Sequence, residues 1–225
     1  MSRFKTIRIE PFEWRVDILN VIMWQLQFMT MNCRRVLFVR IDITFPTGYP
    51  QQGQNTEISD LLHHLDWHYG HQNIRVACVW VREQKDSSNP HYHCIFLFDN
   101  NHVRTGEGVR NEIAKAWHSI VKLQGYNCVD LALADGVKQI IEIRKPLIAS
   151  EGEKLRQEIA AFNANLLHAL DWSTYLAKTV TKDKAPKGIR AWGGTRIPRD
   201  AGPLSFPPYF HSAFPPYTPP QTWGR

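Results

Sequence analysis

Between Pro90 and Phe98 the chain reads Pro-His-Tyr-His-Cys-Ile-Phe-Leu-Phe. A run this rich in aromatic and aliphatic residues predicts a strand. Strand residues two apart point the same way, so His91 and His93 present their imidazoles together. Paired imidazoles on a rigid strand are ready ligands for a divalent ion. Glu83 closes the apolar run that precedes them, and by parity it falls on the Val79/Val81 face. Asp86, Ser87, Ser88, Asn89 and Pro90 lie between the two runs and predict a hairpin, which can bring the Glu83 carboxylate beside the imidazoles as a third ligand. Two His and one carboxylate leave coordination positions open, as a catalytic centre requires. Far downstream, Tyr175-Leu176-Ala177-Lys178 sets a phenol and an ammonium three residues apart, on one face of a predicted helix. A free phenol is mostly protonated at neutral pH, and forming the phenolate costs about 4 kcal/mol. A neighbouring ammonium or metal ion offsets part of that cost. His64, His68 and His71 also recur at helical spacing; with no acidic or Cys partner standing out, they read as solvated or structural.

These groups need a scaffold. The spacing of Phe12, Val16, Ile18, Leu19, Ile22, Met23, Leu26 and Met29 predicts an N-terminal helix over about 12–31. A strand over 36–45, stopped by Pro46, is followed by a helix over about 57–70 and then by the hairpin of 74–83 and 91–98. An amphipathic helix over 107–123 and short strands near 127–132 and 138–143 come next. Helical spacing returns over 152–169, and Asp171 reads as the N-cap of a last helix from Trp172 to about Lys182. Both faces of the hairpin are apolar, so the sheet must be covered on both sides. The expectation is an α+β domain over 1–200, with a central antiparallel sheet of about five strands wrapped by helices. Residues 201–225 are dense in Pro, Phe and Tyr, cannot build a core of their own, and are expected to be extended or disordered.

Composition narrows the classes. Of 225 residues 43% are hydrophobic, which excludes global disorder, and no apolar run approaches the ~18 residues of a bilayer span. Arg3, Lys5 and Arg8 are followed by Glu10 and Glu13 instead of the apolar core of a signal peptide. Cys33, Cys78, Cys94 and Cys128 lie far apart with no CxxC, which argues against a disulfide framework or a Cys-type zinc site and for the cytoplasm. The formal charge is +6, and the segment from Lys178 to Arg199 carries seven Lys/Arg against one Asp, interrupted by Gly188, Gly193 and Gly194. That distribution leans toward a polyanionic partner. No G-x-x-x-x-G-K-[ST] occurs, so strand separation by a P-loop motor is not encoded.

His91-Tyr92-His93 on a strand, Glu83 on the preceding strand and the later Tyr175-x-x-Lys178 together resemble the HUH endonuclease superfamily of rolling-circle replication initiators, relaxases and transposases. The order, with Phe38 to Pro46 as first motif, fits the replication-initiator arrangement. More narrowly, Arg40-Ile41-Asp42, Tyr-Leu-Ala-Lys and Gly188 to Arg196 resemble the inovirus Gp2-type family of filamentous phages and their satellites. Tyr92 is bulkier than the usual aliphatic residue between the histidines and should point to the opposite, apolar face. The resemblance implies an HUH/RRM-like (ferredoxin-like) sheet. It implies Mg²⁺ or Mn²⁺ held by His91, His93 and Glu83, with Asp42 as the alternative third ligand. Tyr175 would be the nucleophile, forming a 5′-phosphotyrosine, with Lys178 steadying the phenolate or the phosphate. Arg40, Lys182, Lys184, Lys187, Arg190 and Arg196 would contact DNA. The implied substrate is single-stranded or locally melted origin DNA, with a host helicase and polymerase as partners and a possible oligomer on the DNA. The alternatives are a non-catalytic origin-binding or repressor protein on the same fold, or an HUH transposase.

Overall fold

The computed structural model describes residues 6–9, 12–50, 54–84, 89–122, 127–178, 188–198 and 200–210. A short hairpin, β1 (Thr6–Ile9) and β2 (Phe12–Arg15), opens the fold and leads into helix α1 (Val16–Asn32). Strand β3 (Arg35–Ile43), helix α2 (Thr56–Gly70), strands β4 (Val76–Glu83) and β5 (His91–Asp99) and helix α3 (Gly106–Val121) follow. Strand β6 (Val129–Leu131), a two-stranded excursion β7 (Leu133–Ala134) and β8 (Val137–Lys138), and strand β9 (Ile140–Arg144) come next. Helix α4 (Gly152–Ala177) and strand β10 (Trp192–Gly194) complete the described elements.

The main sheet runs β10-β4-β5-β3, and β6 and β9 share the far side of β3; every pairing is antiparallel. Taken as β3-α2-β4-β5-α3-β9, the chain has the βαββαβ connectivity and strand order of a ferredoxin-like sheet. This is the expected α+β architecture, with one strand more than anticipated.

Strand parity sorts the core into two layers. Val36, Phe38, Val79, Val81, Ile95 and Leu97 face α1 and α4, where Ile22, Leu26, Phe162 and Leu166 cover them. Val39, Ile41, Cys78, Trp80, Cys94 and Phe96 face α2 and α3, where Leu61, Leu65, Ile113 and Trp117 cover them. The two-faced apolar hairpin is thus covered on both sides.

Three expectations change. The N-terminal helix starts at Val16, because 12–15 pair with β1 and Arg15 is extended (φ −81°, ψ 113°), its guanidinium buried against Asp17 at 2.6 Å. Phe12 matched the helical spacing only by coincidence. Asp171 caps nothing: α4 runs unbroken from Gly152 to Ala177 and stops short of Lys182. Leu166, Ala169, Leu170, Ser173, Leu176 and Ala177 keep one buried helical face across that position, and neither Gly nor Pro interrupts it. Finally, the start of the Pro-rich tail is packed. Phe206, Tyr209 and Phe210 lie on α4, with the Tyr209 ring 5.2 Å from Phe162, and Asn163 donates to the Tyr209 carbonyl at 3.0 Å. The segment borrows a helix face where it has no core of its own; residues 211–225 lie outside the described set.

Candidate active site

The site lies where β3 and β4 end and β5 begins, on the α1/α4 side of the sheet. Register fixes four of its groups: Asp42 pairs with His93, Val81 with His93, and Glu83 with His91. All these side chains share one parity, so the carboxylates of Asp42 and Glu83 approach His93 from neighbouring strands. Asp42 Oδ1 is 2.6 Å from His93 Nδ1, and Glu83 Oε2 is 2.9 Å from His93 Nε2. His91 stands one pair further out, exposed and across from Glu83. Tyr92 turns to the other face as anticipated. It is buried against Trp80 and Trp117, and its hydroxyl donates to Asn55 Oδ1 at 3.0 Å.

A neutral imidazole carries one N–H and cannot donate to two carboxylates. If the Nδ1 proton goes to Asp42, the Nε2 lone pair faces the Glu83 carboxylate. That juxtaposition is stable only with a second proton or a cation between them. Donors 2.9 Å apart also match neighbouring ligands on an octahedral ion with bonds of about 2.1 Å. The Glu83–His93 pair thus has the spacing of two such ligands, and His91 is paired with Glu83 across the strands. Among the described residues no three His, Cys, Asp or Glu side chains already stand as a ligand group. Asp42 occupies the far side of the ring from Glu83, where it orients the imidazole as the carboxylate partners of metal-bound histidines do.

Helix α4 delivers the phenol. Tyr175 sits in its last turn, 37% exposed, with its ring edge-on to His93 at 5.4 Å between centroids. Two cations flank that ring. The Arg40 guanidinium lies 4.1 Å from the ring centroid, and the Lys178 ammonium lies 5.7 Å from it and equally far from the Trp14 ring. Lys178 is the residue that ends the helix (φ −61°, ψ 130°), and its backbone bridges to Trp14. The Tyr-x-x-Lys pair thus shares a face although its second member has left the helix.

Arg40 was expected to contact DNA, but it is only 6% exposed. Its Nη1 donates to Gln139 Oε1 at 2.6 Å, and Asp42 Oδ1 is 3.9 Å away. Burial pulls its pKa down, and Asp42 and Tyr175 pull it back up; an arginine so placed keeps its charge. Gln139, itself buried, was not anticipated. Nothing in the sequence around it distinguishes it from any polar residue between two short strands.

The remaining basic candidates separate. Arg82 N donates to the Ala191 carbonyl and Trp192 pairs with Val81, so exposed Arg190 stands in register beside Glu83. Thr195 N donates to the Cys78 carbonyl, so exposed Arg196 lies beyond the other end of β10, roughly 20 Å along the strand from Arg190 at ~3.3 Å per residue. Lys182, Lys184 and Lys187 lie outside the described residues.

Fold and site together define an α+β domain with a ferredoxin-like antiparallel sheet, helices on both faces, and a histidine–carboxylate cluster facing an exposed tyrosine. Residues 14–194 match the YagK/YfjJ C-terminal domain, and the chain belongs to that family. No curated protein and no solved structure matches it. Among the described residues no helix is long and apolar enough to cross a membrane.

Proposed function

We propose that this protein is an HUH-type replication initiator, related to the inovirus Gp2-type family, that nicks single-stranded or locally melted origin DNA and stays covalently attached to it. The observation that carries this reading is the contact of Tyr175 with His93, on the sheet face where Glu83 and His93 meet. A strand-borne histidine–carboxylate pair and an exposed tyrosine from a helix far away in sequence lie side by side on that face. A lone structural histidine does not account for that arrangement.

In the reaction the Tyr175 oxygen bonds to phosphorus as the P–O3′ bond breaks. The phenol loses its proton and the departing 3′ oxygen gains one, leaving a 5′-phosphotyrosine and a free 3′-OH for a host polymerase. Glu83, His93 and His91 are the residues that would hold a Mg²⁺ or Mn²⁺ ion, which would supply charge neutralisation to the phosphate. Asp42 holds the His93 ring, fixing which nitrogen faces Glu83. Lys178 places positive charge beside the phenol and the incoming phosphate. Arg190, beside Glu83 and exposed, is positioned to meet the DNA backbone. A host helicase would open the duplex.

The test is incubation of the full chain with Mn²⁺ and a randomised single-stranded oligonucleotide library labelled at the 3′ end. An SDS-resistant, protease-sensitive labelled species is expected, absent with EDTA and absent for Tyr175→Phe. If Tyr175→Phe cuts as well as the parent, the assignment is wrong. Sequence-specific binding that survives EDTA and yields no adduct would instead identify a non-catalytic origin-binding or repressor protein. Strand transfer into a second oligonucleotide without replication initiation would indicate a transposase.

A further inference from the structure

Strand β3 changes partner at Arg40. Below it, Val39 pairs with Ile140 of β9; above it, Ile41 pairs with Leu131 of β6. Arg40 bridges the gap with its own backbone, its N–H donating to the Gln139 carbonyl at 3.0 Å and its carbonyl accepting from Ala132 N at 2.9 Å. Gln139 N donates in turn to the Ala132 carbonyl at 2.9 Å, which closes the neck of the β7–β8 excursion. This neck carries the Gln139 side chain inward, 2% exposed, to the guanidinium of Arg40. Burying a guanidinium is costly unless its donors are engaged and its charge is used. Here one donor is fixed by a neutral amide, the neighbouring carboxylate Asp42 is turned toward His93, and the guanidinium carbon lies 4.1 Å from the Tyr175 ring centroid.

We infer that Arg40, held by Gln139, is a positioning residue for Tyr175 and not a DNA contact: it fixes the ring toward the scissile phosphate and stabilises the negative charge the phenol oxygen carries as attacking and leaving group. The inference rests on the nickase reading and extends it. A guanidinium attracts a neutral phenol ring modestly and a phenolate more strongly. The same placement serves the return step, in which a DNA 3′-OH attacks the phosphotyrosine, the new P–O3′ bond forms, and the Tyr175 oxygen departs and is reprotonated. Gln139 suits the holding role better than a carboxylate would. Its neutral amide orients the guanidinium without competing for its charge.

The experiment is a double-mutant cycle on adduct formation with the full chain, Mn²⁺ and an oligonucleotide selected from the library. It compares the parent, Arg40→Met, Gln139→Leu and the double variant, with Arg40→Lys added. Arg40→Met is expected to lower the rate constant at saturating DNA roughly ten-fold while leaving the oligonucleotide's dissociation constant unchanged. Gln139→Leu should lower the same rate constant, and should do nothing further in the Arg40→Met background, because it acts only through the guanidinium. Arg40→Lys, which keeps the charge without the planar fork, should fall between parent and Arg40→Met. Thermal melting of each variant separates misfolding from a catalytic effect. If Arg40→Met does not fold, the order parent, Gln139→Leu, Arg40→Lys decides. A rate constant for the Arg40 variants equal to the parent's, weakened DNA binding in place of a slowed step, or fully additive effects would each overturn the inference and leave the nickase reading standing. Failure of the parent itself to form an adduct would overturn both.

Discussion

His93 touches a carboxylate through each ring nitrogen, and a neutral imidazole can donate to only one of them. From sequence, parity alone puts Glu83, His91 and His93 on one side of the hairpin, and Glu83 does lie on the Val79/Val81 face across from His91. Register was not legible. It decides that Glu83 reaches His93 diagonally and that Asp42 takes the far nitrogen, a role better suited to orienting the ring than to the alternative third ligand. Asp42→Asn should therefore weaken Mn²⁺ binding by about 10–100-fold while leaving the fold intact, as measured by calorimetry or by quenching of the free-ion electron paramagnetic resonance signal. An unchanged affinity would show that Asp42 does not set the imidazole's proton. Arg40 was the least legible residue. Its strand face followed from parity, but the helix lying over that face did not, and a basic residue next to a predicted phosphate site reads naturally as a DNA contact.

At the scale of elements, the long apolar strands were legible because their composition leaves few alternatives. Short or composite elements were not. Strand β10 is Trp192-Gly193-Gly194, whose glycines argue against a strand by propensity. Its reason is close approach. A Cβ on Gly193 would come within 2.6 Å of the Trp80 ring, and one on Gly194 within 2.5 Å of the Cys78 carbonyl oxygen. The pairing seals the β4 edge, and the Trp192 indole donates to Asp17 at 3.0 Å, tying the strand to the start of α1. Gly194→Ala should destabilise the protein by about 1–3 kcal/mol, because the obstruction is backbone and cannot rotate aside. Urea unfolding measures this, and a loss within error of zero would mean that β10 contributes nothing to the fold. The single helix α4 shows the opposite failure. Asp171 is of a type that can cap a helix, but the buried stripe on either side of it never changes phase.

Across the whole molecule, a sheet apolar on both faces implied a helix layer on each side, and that much followed from the hairpin alone. The far end of the sheet is tied by Glu142, which accepts from Arg35 of β3, from Arg144 and from Asn100. The Arg35 hydrogen bond, chiefly, holds its carboxyl below the usual range. Its contribution to stability is thus present above the unfolded-state value of roughly 4.3 and fades as the pH falls through the lower folded-state value. Glu142→Gln should reduce the gap between urea midpoints measured at about pH 3 and about pH 6; an undiminished gap would assign acid sensitivity to other carboxylates. At the other end of the sheet, the proposed nicking reaction would bring Glu83, His91, His93 and Tyr175 to one phosphodiester. Its most direct test is mass-spectrometric peptide mapping of the protein–DNA adduct formed with Mn²⁺. The nucleotide-bearing peptide is expected to contain Tyr175, linked through a 5′-phosphate. Attachment at any other residue, or cleaved DNA whose new 5′-phosphate ends carry no peptide, would contradict it.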